Sequence, residues 1–381
     1  MLNEIQDKIY KINHITLDEK AQKFCVSHDH GIKIFNMEDF KLEETSDNSE
    51  CKLGSISHVC FFQKYEDLII FTGSRKNVDF PPNAIIFFDI KKKNIDLKKV
   101  FQKEITNFKC VSNFVFIAFG TSLIIYSYDK NKNDLEQKEE HKIEENSIFE
   151  CWVEGQEDIL NNLYLAFPCE KEIIILFYSI DEWNFGNKLN IPSPVDKIQN
   201  IFYIKKLNQI FISDESAKYI YGFDVDDGKK KLCLYRGTKP GFITSISLLN
   251  DKKFLAINNL NRTIHIYDLD IKNNDFSISN VFYEYFSDIT EIYPKLRIYY
   301  ENILENEEGA FYKNDFLEKG GIIYSDNNDE LNIIAYNGYA FKVKINFKNM
   351  TYKTILKEEY IEKKIEKKIK NISLYNSGFD A

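Results

Sequence analysis

Seven times along the chain an apolar segment, a short polar turn and a second apolar segment follow one another. The pattern appears as KFCVSHDHGIKIFN (residues 23–36), DLIIFTG with NAIIFFD (67–89) and NFVFIAFGTSLIIYSYD (113–129). It returns as NLYLAFPCEKEIIILFYSID (162–181), NQIFISDESAKYIYGFD (208–224), KFLAINNLNRTIHIYD (253–268) and LNIIAYNGYAFKVKI (331–345). Several second segments end on an aromatic residue followed by Asp, at Phe88, Tyr128, Phe223 and Tyr267. The spacing is 40 residues from Phe88 to Tyr128 and 44 from Phe223 to Tyr267, and the 95 residues between cover two repeats.

Val, Ile, Phe and Tyr dominate the segments and Gly, Asn or Asp the turns, as β-strands and their hairpins require. A helical solenoid needs an apolar period near 3.6, which the segments lack. A period of about 40–45 residues with several short strands per unit is that of propeller blades. The expected fold is therefore all-β, a seven-bladed WD40-like β-propeller over residues 1–347. Residues 348–381 are expected to form a Lys-rich tail, helical in part: Ile361, Ile365 and Ile369 share one helical face.

Composition narrows the function classes. A formal charge of −9 argues against nucleic acid as a partner and against indiscriminate attraction to anionic membranes. Seven cysteines without a CxxC pair read as reduced thiols of an intracellular protein. No run of 18 apolar residues and no signal peptide is present, so the chain is expected to be soluble and cytoplasmic.

The chain carries no HExxH, GxSxG, P-loop or dinucleotide-binding glycine pattern, so no enzyme, cofactor or metal is expected. Ser27-His28-Asp29-His30-Gly31 could suggest metal ligands, but polar residues ending in Gly also suit the turn in which they fall. His265 alternates with Ile264 and Ile266 within its strand. Four arginines, Arg75, Arg236, Arg262 and Arg297, stand among 50 basic residues. An Arg kept in so Lys-rich a chain points to planar, bidentate recognition, as of phosphate. Scattered surface charge is the plainer reading of the four.

The stretch KLCLYRGTKPGFITSISLLNDKKFLAINNLNRTIHIYDL resembles the Phe-Arg-Arg-Gly-Thr motif of the PROPPIN family and its following blade-six strand. FPPNAIIFFDI (80–90) is similar to the family's blade two, ITNFKCVSNFVFIAFGTSLIIYSYD (105–129) to its blade three and NIIAYNGYAFKVKIN to its last blade. The resemblance runs over roughly residues 10–346. It implies an autophagy or endolysosomal effector that binds phosphatidylinositol 3-phosphate and the 3,5-bisphosphate through two basic rim pockets flanking the double Arg. It also implies peripheral association with autophagic, endosomal or vacuolar membranes. A lipid-transfer or conjugation-machinery partner would dock on blades two and three, around Phe80–Asn83.

The motif is degenerate here. Tyr235 stands at its first Arg, Tyr221 at a blade-five Arg, and the blade-five His falls near Pro194. The second pocket keeps Arg236, Thr238, Thr263 and His265; Arg262 replaces a Gly, and a Ser expected near Asn258 is missing. The resemblance thus implies one lost and one surviving pocket, with binding strengthened in mild acid if His265 is protonated. The family's blade-six membrane-insertion loop corresponds to Phe276, Val281, Phe282, Tyr283, Tyr285 and Phe286. The plainer reading puts some of these aromatics in the core. A WD40-type protein-interaction scaffold without lipid binding is the rival function.

Overall fold

The computed structural model describes residues 11–46, 52–65, 67–145, 148–156, 159–181, 183–186, 189–249, 254–259, 263–269, 291–299, 321–325, 329–336 and 338–359. These residues form seven sheets in a propeller, five of them built from consecutive strands. Blade one holds β1 (Ile12–Leu17), β2 (Lys23–His28), β3 (Gly31–Asn36) and β4 (Leu42–Thr45). Blade two holds β5 (Ile56–Phe61), β6 (Leu68–Gly73), β7 (Ala84–Asp89) and β8 (Asn94–Val100). Blade three follows with β9 (Asn107–Val111), β10 (Phe114–Ala118), β11 (Ser122–Asp129) and β12 (Asp134–Lys142). Blade four contains β13 (Glu150–Gln156), β14 (Ile159–Cys169), β15 (Glu172–Ser179), β16 (Asn184–Phe185) and β17 (Leu189–Pro192). Blade five contains β18 (Asn200–Ile204), β19 (Gln209–Ser213), β20 (Tyr219–Asp224) and β21 (Lys230–Tyr235). Blade six contains β22 (Ile243–Leu249), β23 (Phe254–Asn259) and β24 (Thr263–Asp268). The chain then returns through β25 (Glu291–Ile292), which pairs in parallel with β21 of blade five, before β26 (Leu296–Tyr299) completes blade six. Blade seven holds β27 (Gly321–Tyr324), β28 (Glu330–Ala335), β29 (Tyr339–Asn346) and β30 (Thr351–Glu359).

The seven repeats of the sequence are the second and third strands of the seven blades. A blade lies between two neighbours, so both faces of its middle strands are covered. β6 and β7 are accordingly buried at every position. Alternate side chains of β7 enter different cores: Ile86 and Phe88 face blade one, Ile85 and Phe87 blade three. Each neighbouring pair of blades has its own apolar cluster, seven in all. The Asp after the aromatic opens the turn to the fourth strand. Asp89 accepts from Lys92 N (2.8 Å), Asp129 from Asn131 N (2.9 Å) and Asp224 from Asp226 N (2.9 Å). The 28–31 segment is a turn as well, joining β2 to β3.

No strand is exchanged between the ends of the described chain: blade one is wholly N-terminal and blade seven wholly C-terminal. The ring closes through Ile12, Phe24, Phe35 and Met37 packed on Ile334 and Ala340, with Lys342 Nζ donating to the Glu38 carbonyl at 3.0 Å. First strands are laced across blades by polar side chains. Asn13 donates to Ile56 O (2.8 Å), Thr244 to Gly321 O (2.8 Å) and Asn258 to Gly321 O (2.7 Å). Asn258, the position of the missing Ser, is thus spent on the seam between blades six and seven.

The expected boundary at residue 347 is corrected. β30 pairs with β29 from Asn346↔Thr351 to Tyr339↔Glu359, so the propeller runs on through Glu359. Tyr352, Thr354 and Leu356 alternate with exposed Thr351, Lys353 and Ile355, the pattern of an outer strand with one face on the blade. The helix expected around Ile361, Ile365 and Ile369 lies outside the described residues.

Candidate functional site

Arg236 directly follows β21, and its N–H donates to Lys218 O at 2.9 Å, continuing the ladder with β20. Its side chain turns inward and is 3% exposed. Nε donates to Ala217 O at 2.7 Å and Nη2 to Ser216 O at 2.9 Å, and Nη2 also donates to the Lys239 carbonyl. The guanidinium therefore ties the turn before β20 to the loop after β21. That turn is itself held by Asp214, which accepts from Ala217 N at 2.8 Å. Arg236 is a clamp on backbone carbonyls first: these bonds use Nε and Nη2 and leave out Nη1.

His265 lies on β24 beside Arg236 for a reason of pleat. Ile264 and Ile266 face blade seven, whereas Tyr267 faces blade five, so His265, in step with Tyr267, turns toward blade five. Both faces of β24 are buried, and His265 is 4% exposed. Tyr267 donates its hydroxyl to Tyr235 O at 3.2 Å, tying the two blades together. Thr263 Oγ1 lies 3.2 Å from His265 Nε2. Across the strand pair, His265 is in register with Arg297 on β26. Burial, followed by the positive charges of Arg297 and Arg236, pushes the His265 pKa down to about 3. The imidazole is therefore neutral at mild acidity, so the protonation on which stronger binding in acid depends is opposed by its surroundings.

Arg236, Thr263 and His265 thus come together at the blade five–six rim, and exposed Thr238 follows two residues after Arg236. Arg297 joins them, which sequence reading missed: it is exposed, and it is the cation nearest in effect to His265. Two guanidinium groups beside a hydroxyl and a neutral imidazole suit an anion of phosphate type. Arg262 lies outside the described residues, as do Phe276, Val281, Phe282, Tyr283, Tyr285 and Phe286.

The rim on the other side of Arg236 has different chemistry. Tyr221 and Tyr235, at the positions of the two missing arginines, both meet Tyr219, with ring centroids 6.2 and 5.4 Å away. Tyr293 packs on Tyr235 at 5.0 Å and donates to Glu291 Oε2 at 3.0 Å. β25 sets Glu291 opposite Cys233 on the edge of blade five. Burial, then the Glu291 charge and hydrogen bond, push the Tyr219 hydroxyl up to about 12. Lys218 and Lys230 sit over Tyr219 and Tyr221, at 5.2 and 5.8 Å from the ring centroids. Pro194 is exposed. The Glu291 carboxylate opposes an anion on this flank, where Lys218 and Lys230 are the cations and the phenols are neutral.

Among the described residues no group of three or more His, Cys, Asp or Glu is placed to hold a metal ion, and no helix is long and apolar enough to cross a membrane.

No protein-family model matches the sequence. The fold is that of the PROPPIN and WD40 propellers. Kluyveromyces lactis Hsv2 superposes with a TM-score of 0.68 at 13% identity, over 92% of this chain and 100% of that one. KlAtg21, solved in complex with the coiled-coil of AgAtg16, gives 0.64 at 13% identity over 92% and 100%. Saccharomyces cerevisiae Sqt1 gives 0.58 at 12% over 91% and 85%. Hsv2 and Atg21 are PROPPIN propellers.

Proposed function

We propose that this chain is a PROPPIN-like phosphoinositide effector and scaffold with a single working pocket, at the blade five–six rim. The observation that carries the reading is the convergence of Arg236, Arg297, Thr263 and His265 on one edge, with Thr238 beside them. Its ligand is the phosphorylated inositol of phosphatidylinositol 3-phosphate or the 3,5-bisphosphate. The protein then sits peripherally on autophagic, endosomal or vacuolar membranes and has no catalytic role. With one pocket in place of two, it forgoes the roughly 10²–10⁴-fold avidity that a second linked site confers. An autophagy lipid-transfer or conjugation-machinery protein is the partner on this reading. It docks on blades two and three, near Phe80–Asn83, where Val78 is 93% exposed. That KlAtg21 is solved with a coiled-coil supports a protein partner.

One observation favours the rival, a scaffold that binds protein alone: Arg236 already spends three of its hydrogen bonds on carbonyls. The test is co-sedimentation at low salt with phosphatidylcholine vesicles carrying either lipid. The informative variant is Arg297→Glu, because Arg297 is exposed and its loss leaves the Arg236 clamp intact. Salt-sensitive binding by the wild type that Arg297→Glu removes is expected. A wild type that ignores both lipids overturns the lipid reading and leaves the scaffold.

A further inference from the structure

In blades two, three and five the turn before the outer strand carries its own counter-charge. Asp89 pairs with Lys92 at 3.1 Å, Asp129 with Lys132 at 3.6 Å and Asp224 with Lys231 at 3.9 Å. In blade seven Asn346 stands in that place. Its Oδ1 accepts from Lys348 N (3.1 Å) and Asn349 N (3.2 Å), so the turn is kept and the negative charge is not. β29 and β30 then set Lys344 directly opposite Lys353, and Asn346 opposite Thr351. Cross-strand partners leave the same face of a hairpin, and like charges so placed are destabilising. All three lysines are exposed, and among the described residues none of them is in an ion pair.

An open cleft of about 580 Å³ lies at this turn, the size of a small-molecule site. Lys344, Lys348, Lys353, Asn346 and Thr351 line it with donors, Phe347 and Tyr352 give it an apolar wall, and Asp329 is its only acid. Asn346, its Oδ1 engaged by the turn, keeps Nδ2 as a donor. The sequence after Glu359 carries five lysines against two glutamates and one aspartate, so the chain's own continuation brings no surplus of acid to neutralise the site.

We propose that this cleft binds a multiply phosphorylated anion, clamped between Lys344 and Lys353 with Lys348 as the third cation. A single carboxylate answers one lysine and leaves two uncompensated, whereas two or more phosphate groups on one small molecule answer all three. The cleft is on blade seven, apart from the blade five–six rim, and the inference stands whether or not that rim takes a lipid.

The experiment adds sodium tripolyphosphate to the full chain at low salt and follows calorimetric heat together with hydrogen exchange over residues 344–353. The wild type is expected to bind, to gain protection over that hairpin and to lose affinity as salt rises. Asn346→Asp supplies the acid that the same turn carries in three other blades. It is expected to keep the fold and to weaken binding at the hairpin at least about tenfold. Lys344→Gln with Lys353→Gln weakens it at least as much and, by removing the like-charge pair, does not lower the melting temperature. Phosphatidylcholine vesicles carrying phosphatidylinositol 4,5-bisphosphate separate the two sources of such an anion. Vesicle binding that both substitutions remove assigns a lipid headgroup, and binding of the free anion alone assigns a soluble ligand. A wild type that gains no protection over residues 344–353 with either probe, or protection there that survives both substitutions, overturns the proposal.

Discussion

The two flanks of Arg236 differ in what their strands bring to the same rim. On the blade-six side, β24 and β26 set His265 and Arg297 in register, and the blade-five clamp adds a second guanidinium. On the blade-five side, three tyrosines and the returning Tyr293 pack ring on ring, and β25 adds Glu291. One flank gathers two guanidinium groups around a neutral imidazole; the other gathers phenols around a carboxylate, with two lysine ammonium groups lying over the rings. The positions that the family resemblance gives to arginines on the blade-five side are occupied by packed tyrosines, with an acidic group beside them. The flanks differ in cost as well, since aromatic packing stabilises the blade whereas clustered cations strain it.

The most severe way to break the comparison is to remove the residue both flanks share. Arg236→Ala strands the carbonyls of Ser216, Ala217 and Lys239 and is expected to cost about 3–5 kcal/mol, read from urea unfolding. Lipid loss in that variant says little, because the rim itself is undone. Arg236→Lys recovers only part of the stability, since one ammonium does not reproduce the planar fork.

Acid is the next lever, and it acts on the blade-six flank. The folded protein holds His265 near pKa 3, while the unfolded chain takes up the proton near 6.5. The unfolded state therefore binds more protons between these values, and this contribution to stability, complete above about 6.5, is lost as pH falls toward 3. From pH 8 to pH 5 the loss is about 2 kcal/mol. The same pH series on His265→Gln lacks that component, and an unchanged slope breaks the assignment.

Tyr235→Arg tests whether the blade-five flank is merely short of a cation. The new guanidinium is expected to pair with Glu291, changing stability by under about 1 kcal/mol and adding no anion binding. Only Tyr235→Arg combined with Glu291→Ala is expected to gain affinity for phosphoinositide vesicles. The smallest effect belongs to Arg297→Ala, which alters stability by less than about 0.5 kcal/mol. It should nonetheless raise the His265 pKa, read by NMR titration, because one of its two repelling charges is gone.

The middle strands were legible because both faces of each are apolar, so strands such as those in DLIIFTG and NAIIFFD stand out from any background. First strands such as NFKCV and outer strands such as DLEQKEEHK hide in the sequence, since one face carries polar or charged groups and the alternation dissolves among Lys and Glu. β30 was misplaced in a tail for that reason. The site was half legible. Thr263 and His265 follow from their strand, and Tyr221 and Tyr235 were recognised as departures. Arg297 was marked only as one of four arginines and nothing tied it to His265, because the chain leaves blade six and returns before β26 sets the two in register. The rarity of Arg pointed to Arg236, which the structure holds in three hydrogen bonds. Their acceptors are the protein's own carbonyls.

Closure without strand exchange has a mechanical consequence. The first and last strands of the described chain meet at one seam, and no hydrogen-bonded ladder crosses it. Pulled apart from its ends, such a ring behaves as a linear array of seven units that happens to bite its own tail. The seam between blades one and seven opens first, against side-chain packing and the Lys342–Glu38 hydrogen bond, and the blades then peel away singly from either end. A ring fastened by a shared sheet has to shear a ladder before it yields. Here the fastening is a snap rather than a stitch, and it can reclose each time the ends come back within reach.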